Sequence, residues 1–200
     1  MKISVIGGAG YVGLITALGA SSMGHEVIAT DIDEKKVENL KINLSPIYED
    51  NLDSLLKFCN SHNKITFTTN SNDAIKNSDL VIVSVGTPTK INGEIDLSQV
   101  EMVTEYLKDS INNYTLIVIK STLPITAVNV MKKELDEKFK SGIDYDIISN
   151  PEFLREGRAV HDFYNPDRIV IGGESKKSIN ILKKFYLPLI KRNLNIPNNI

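Results

Sequence analysis

The 200-residue chain has one cysteine, Cys59, no tryptophan and no excess of either charge. A single cysteine rules out an intramolecular disulfide and most cysteine-ligated zinc sites, and it agrees with a reducing, cytoplasmic setting. Lys and Arg number 23 against 25 Asp and Glu, giving a net charge of −2 and a pI near 6.0. Without a global field to attract a polyanion, nucleic acid is not an expected partner. The three histidines, His25, His62 and His161, are scattered along the chain, so no metal site is expected. The missing tryptophan constrains nothing. What is present, 42% hydrophobic and 24% charged residues, is ordinary globular usage that argues against both disorder and a membrane-embedded bundle. The length suits one buried core.

One stretch does lack charge. Residues Ile3 to Gly24 form an uncharged run of 22, long enough for a signal peptide or a membrane helix. Six of those residues are glycine, and the cluster Gly7 to Gly13 would break a lipid-spanning helix near its start. The run parses instead as a buried strand, Ile3 to Ile6, a glycine turn, and a helix from about Tyr11 to Met23.

The remaining sequence repeats this grammar. Strands are expected at 25–30, 65–67, 80–85, 116–119, 145–149 and 168–171, and helices near 34–43, 51–60, 97–110, 126–139 and 176–190. Residues 80–85 and 116–119 are almost continuously apolar, as in parallel strands buried on both faces. The alternation implies an α/β fold with a doubly wound, mostly parallel, Rossmann-like sheet. Residues 193–200, rich in Asn with a Pro, read as a connection.

In such sheets the ligand lies beyond the carboxyl ends of the strands. After the first strand comes Gly8-Ala9-Gly10-Tyr11-Val12-Gly13, where Gly8 is expected to permit the turn, Gly10 to admit a pyrophosphate and Gly13 to let helix and strand pack closely. Asp31, 18 residues past Gly13, is placed to bind a ribose 2′-hydroxyl; it would serve equally as a helix N-cap, as would Asp33. Lys36 reads either as a cofactor contact or as a solvated helix lysine. No Gly-Lys-Ser/Thr follows the glycines, which disfavours a P-loop. Gly86-Thr87-Pro88-Thr89 and Lys120-Ser121-Thr122-Leu123-Pro124 are hydroxyl-proline turns; capping suits Thr122, whereas Thr87 precedes no helix. Glu152 and Glu156 would share a face on a helical turn, where two carboxylates suit acid-base work or form a solvated surface beside Arg155. Cys59 reads as a buried structural thiol.

Taken in order, these segments resemble the N-terminal domain of the UDP-glucose/GDP-mannose dehydrogenase family, from Met1 to about Gly173. The resemblance also rests on Leu44-Ser45-Pro46-Ile47-Tyr48-Glu49, on Asn150 to Gly157, and on Asn165-Pro166-Asp167-Arg168-Ile169-Val170-Ile171-Gly172. It implies an NAD-binding domain over residues 1–192, a nucleotide-sugar substrate and a homodimeric full-length protein. The family oxidises a sugar C6 alcohol to a carboxylate with two NAD molecules, through a thiohemiacetal and a thioester on a cysteine. By position, Tyr11, Val12, Asp31, Lys36, Thr87, Thr122 and Glu156 resemble the NAD-contacting set. Glu152, Phe153, Leu154, Arg155 and Glu156 resemble the segment touching the UDP-sugar, with Glu152 as an acid-base or lysine-orienting group and Thr122 with Glu156 positioning a water. The Pro-Asp-Arg segment is most similar to the branch that converts UDP-glucose to UDP-glucuronate. Alternatives are the GDP-mannose and UDP-N-acetylhexosamine branches, a non-catalytic NAD module, and a β-hydroxyacid dehydrogenase. Family members continue for about as long again and carry the reactive cysteine and lysine there, so these 200 residues are expected to bind NAD and turn over little.

Overall fold

The computed structural model describes residues 1–192, 194, 196 and 197; of the connection expected over 193–200, residues 193, 195 and 198–200 lie outside the described residues. In chain order the elements are β1 (Lys2–Ile6), α1 (Tyr11–Ser22), β2 (Glu26–Thr30), α2 (Glu34–Lys41), α3 (Leu52–Ser61), β3 (Ile65–Thr68), α4 (Ser71–Lys76) and β4 (Leu80–Val83). They continue with α5 (Ser98–Ser110), β5 (Thr115–Ile119), α6 (Ile125–Asp136), β6 (Tyr145–Ser149), α7 (Ala159–Tyr164) and α8 (Lys176–Ile190). The six strands form one sheet in the order β3-β2-β1-β4-β5-β6, every neighbour parallel. Strand order reverses between β1 and β4, which opens a crevice at their carboxyl ends.

The continuous apolar runs follow from burial on both faces. In β4, Leu80 and Ile82 join the core under α1, α3, α7 and α8, while Val81 and Val83 join the core under α4, α5 and α6. Leu116 and Val118 alternate in the same way with Ile117 and Ile119 along β5. Leu194 and Ile196 pack against the first of these cores.

Three expectations change. Residues 168–171 form no strand: the segment touches β6 through one antiparallel bridge, Ser149 and Gly172 exchanging two 2.8 Å hydrogen bonds, while Asn150 Nδ2 donates to Val170 O at 2.7 Å. It covers the edge of β6 and does not extend the sheet. The strand expected over 80–85 ends at Val83; Ser84 donates both its amide and its hydroxyl to Ile6 O, at 3.0 and 2.9 Å. Two six-residue helices, α4 and α7, were not expected, being too short to display a periodicity.

Candidate functional site

The glycine turn is tighter than the motif suggests. Gly7, outside the G-x-G-x-x-G pattern, is the left-handed residue at φ +80°, and a Cβ on it would lie 2.7 Å from Ser84 O. Gly8 lies against β2, where a Cβ would come 2.8 Å from that of Ala29. The turn is pinned to β2 by Gly7 N and Gly8 N, which both donate to Thr30 O, at 2.9 and 2.7 Å. A Cβ on Gly13 would sit 2.0 Å from Gly7 O, so α1 rests directly on the turn. At Gly10 the nearest atom to such a Cβ is Gly7 O at 3.2 Å, leaving its outer side open. Gly10 is the N-cap of α1 and makes no side-chain capping bond. The amides of Tyr11, Val12 and Gly13 are therefore first-turn donors without helical acceptors, as a phosphate requires.

Asp31 follows β2 and does not cap α2. Its Oδ2 accepts from Ala9 N and its Oδ1 from Asp33 N, both at 3.1 Å, and Asp33 caps the helix through Lys36 N at 3.1 Å. The two aspartates divide the roles that sequence left interchangeable, because Asp31 is held against the glycine turn. Each of its oxygens keeps a second lone pair for a ribose hydroxyl. Lys36 lies 3.9 Å from Asp33 in a half-exposed ion pair. Beside Asp31 a recess of about 390 Å³ is lined by Gly7, Thr30, Ile32, Val85, Met102 and Tyr106, an apolar slot suited to a flat base. These donors, carboxylate and slot fit a dinucleotide.

Across the crevice, Thr87 Oγ1 donates to Thr122 O at 3.4 Å, which brings the two hydroxyl-proline turns together. Thr122 does not cap α6; the N-cap is Pro124, two residues on, and no side chain bonds there. After β6, residues 150–155 form an extended loop, so Glu152 and Glu156 do not share a helical face. Glu152 Oε2 accepts from Leu154 N at 2.5 Å. The Arg155 guanidinium is committed to Asp162 by bonds of 2.9 and 2.7 Å, and Arg155 N adds a third at 3.1 Å. These bonds, chiefly the guanidinium pair, hold the Asp162 carboxyl well below the usual carboxylate range. Phe153 is half exposed beneath Arg168, whose guanidinium lies 5.2 Å from the ring centre. Together Lys120, Asn150, Glu152, Phe153, Leu154 and Arg168 line part of a cleft of about 850 Å³ open to solvent.

The two halves meet at Tyr11. Its phenol is raised well above its ordinary range by burial and by the hydrogen bond to Glu49, with the charges of Glu49, Glu156 and Glu152 adding to the effect. Glu49 also accepts from Gly157 N at 2.7 Å, which joins the loop after β6 to the first turn of α1. Sequence reasoning quoted Glu49 but gave it no role, and it missed Gly7 and Asp162; the partners of Glu49 lie 38 to 110 residues away, beyond any spacing rule. Cys59 is buried, donates to Leu18 O at 3.4 Å, and has its thiol pushed up to about 11 by burial, partly offset by Ser21. It lies away from these turns and is not a nucleophile. Among the described residues, no cluster of His, Cys, Asp and Glu is arranged to hold a metal, and no helix is long and apolar enough to cross a membrane.

The sequence profile of the "UDP-glucose/GDP-mannose dehydrogenase family, NAD binding domain" matches residues 1–190. A UDP-glucose 6-dehydrogenase of Rickettsia bellii is 45% identical over 189 residues, covering 94% of this chain and 43% of the relative. Among solved structures, a GDP-mannose dehydrogenase of Pseudomonas aeruginosa superposes with a TM-score of 0.89 at 34% identity, covering 98% of this chain and 45% of that one. A UDP-glucose dehydrogenase of Pyrobaculum islandicum gives 0.87 at 34% identity, covering 94% and 44%. The chain spans less than half the length of these proteins.

Proposed function

Because the chain belongs to the UDP-glucose/GDP-mannose dehydrogenase family as its NAD-binding domain, we propose that it serves the oxidation of UDP-glucose to UDP-glucuronate. The observation that carries this reading is the meeting of the glycine turn and the acid-bearing loop, which Glu49 joins by accepting from Tyr11 Oη at 2.6 Å and from Gly157 N at 2.7 Å. NAD, when bound, supplies the hydride acceptor.

The chain's own residues then divide the work. The amides of Tyr11, Val12 and Gly13 hold the pyrophosphate, and Asp31 accepts from the adenosine ribose while repelling a 2′-phosphate. Thr87 and Thr122 flank the nicotinamide side. Glu152 moves or orients a proton at the sugar C6 oxygen, and Thr122 with Glu156 positions a water. Phe153 and Leu154 provide apolar contact for the nucleotide sugar, while Arg155, paired with Asp162, stiffens the loop. With Cys59 buried and protonated, the chain alone has no thiolate to trap the aldehyde for a second hydride transfer. NAD binding with little or no turnover is the expected behaviour. A cytoplasmic location and a homodimeric whole protein belong to the same proposal.

The superposition on a GDP-mannose dehydrogenase favours a second reading with that sugar nucleotide as substrate. Amide NMR of the NAD-loaded chain during titration separates the two. UDP-glucose is expected to shift the signals of residues 152–156, and Glu152→Gln to blunt the response. A response to GDP-mannose with none to UDP-glucose would reverse the assignment.

A further inference from the structure

We propose that Glu49 is a positioning residue that ties the acid-bearing loop to the first turn of the cofactor helix and thereby sets the nicotinamide half of the site. Glu49 lies between α2 and α3 and is only 5% exposed despite its charge. Its Oε1 accepts from Tyr11 Oη at 2.6 Å and from Gly157 N at 2.7 Å; its Oε2 accepts from Ala159 N at 2.9 Å. The three donors come from the start of α1, the end of the loop after β6, and the first residue of α7. Burial raises the carboxyl pKa, but the bonds from Tyr11, Gly157 and Ala159 outweigh it, so the group stays ionised below the ordinary glutamate range. An ionised carboxylate accepts at both oxygens and fixes several donors at once.

This geometry does more than join two surface loops. In a doubly wound sheet each half binds one nucleoside of the dinucleotide, and Asp31 after β2 assigns the adenosine to the β1-β2-β3 half. The loop after β6 therefore serves the nicotinamide half. Glu49 and Tyr11 belong to the first half, whereas Gly157 and Ala159 follow the last strand of the second, so this carboxylate joins the two halves where α7 packs against α1. Gly157 at φ +79° turns its amide toward Glu49, and Glu156 immediately precedes it. Releasing the clamp frees the acids without moving the glycine turn, which Thr30 O holds independently.

The role rests on the NAD placement proposed above, and calorimetry with two ligands separates the two ideas. Glu49→Gln keeps the volume but sets an amide NH₂ against the Ala159 N–H, a donor facing a donor. NAD binding should weaken about fivefold or more, on the scale of one unsatisfied buried donor. ADP-ribose, which lacks the nicotinamide, should bind within about twofold of wild type, since a lost nicotinamide contact costs it nothing. Deuterium exchange should accelerate at 156–159. Equal weakening of both ligands would reduce Glu49 to a folding role, and no change with either would remove it from the site. Should Glu49→Gln fail to fold, Tyr11→Phe deletes a single bond; it should lower the preference for NAD over ADP-ribose and speed exchange at 156–159, and an unchanged preference overturns the proposal. A wild-type chain that binds neither ligand refutes the cofactor placement itself, and this role with it.

Discussion

Replacing Gly13 with alanine places a methyl group where α1 rests on the glycine turn. Its carbon would sit 2.0 Å from Gly7 O and 2.8 Å from both Gly7 C and Ser84 Oγ. Two of these contacts are backbone, so no side-chain rotation relieves them; the helix must lift off the turn by about an ångström, at the upper end of overpacking costs of roughly 1–3 kcal/mol. Alanine returns about 1 kcal/mol of helix propensity, leaving a net loss of about 2 kcal/mol. For a domain of this size that lowers Tm by roughly 4–8 °C in a calorimetric or circular-dichroism melt. The same displacement moves the amides of Tyr11 and Val12, so NAD affinity should fall about tenfold or more, the loss of roughly one charge-assisted bond. Gly24→Ala is the control: φ is +89° with no atom within 4 Å of a Cβ, so it should lose about 1–2 kcal/mol to backbone strain and bind NAD as wild type does. A Gly13→Ala chain that melts at or above the wild-type temperature and keeps its NAD affinity would refute the packing argument.

Other outcomes follow from the buried groups. The Glu49 carboxyl is lowered in the folded chain, so its contribution to stability is complete above the ordinary glutamate pKa and is lost as pH falls through the folded value. The Tm gap between wild type and Glu49→Gln should therefore be widest near neutrality and close in acid; a gap that widens on acidification contradicts the ionised clamp. Cys59, with its thiol raised to about 11, should react with a soluble alkylating reagent at neutral pH only after unfolding, and stoichiometric labelling of the native chain would contradict its burial. Removing the Asp162 charge loosens its tie to the loop arginine, so Asp162→Asn should speed backbone exchange at 155–158 and leave ADP-ribose affinity unchanged; unchanged exchange would show that the Arg155 pair does not hold the loop.

The sheet was largely legible because its signals are local. Each central strand announces itself as an apolar run, and the glycine turn sits between strand and helix where the pattern requires it. Edge and short elements were not, since residues 168–171 are as apolar as a strand yet are held by a side chain of Asn150. The same limit applied within the site. Asp31 and Asp33 looked interchangeable until Ala9 N was seen to engage one of them. The left-handed turn residue proved to be Gly7, at φ +80°, where Ser84 O, just past the end of β4, leaves no room for a Cβ. Glu152 and Glu156 were placed near the cofactor turn by strand-end position, but their assumed helical spacing was wrong; Gly157 and Glu49 set that loop. Contacts spanning about a hundred residues leave no mark on spacing.

The central claim is that this domain holds NAD with its adenosine ribose on Asp31. Calorimetric titration of the wild-type chain and of Asp31→Asn with NAD and NADP tests it most directly. A 2′-phosphate brought against the Asp31 carboxylate meets like-charge repulsion of order 1 kcal/mol or more, so NADP should bind about tenfold or more weakly than NAD. Asp31→Asn should narrow that ratio by weakening NAD and relieving NADP. Equal affinity for the two dinucleotides in the wild type, or a ratio untouched by Asp31→Asn, would contradict the account.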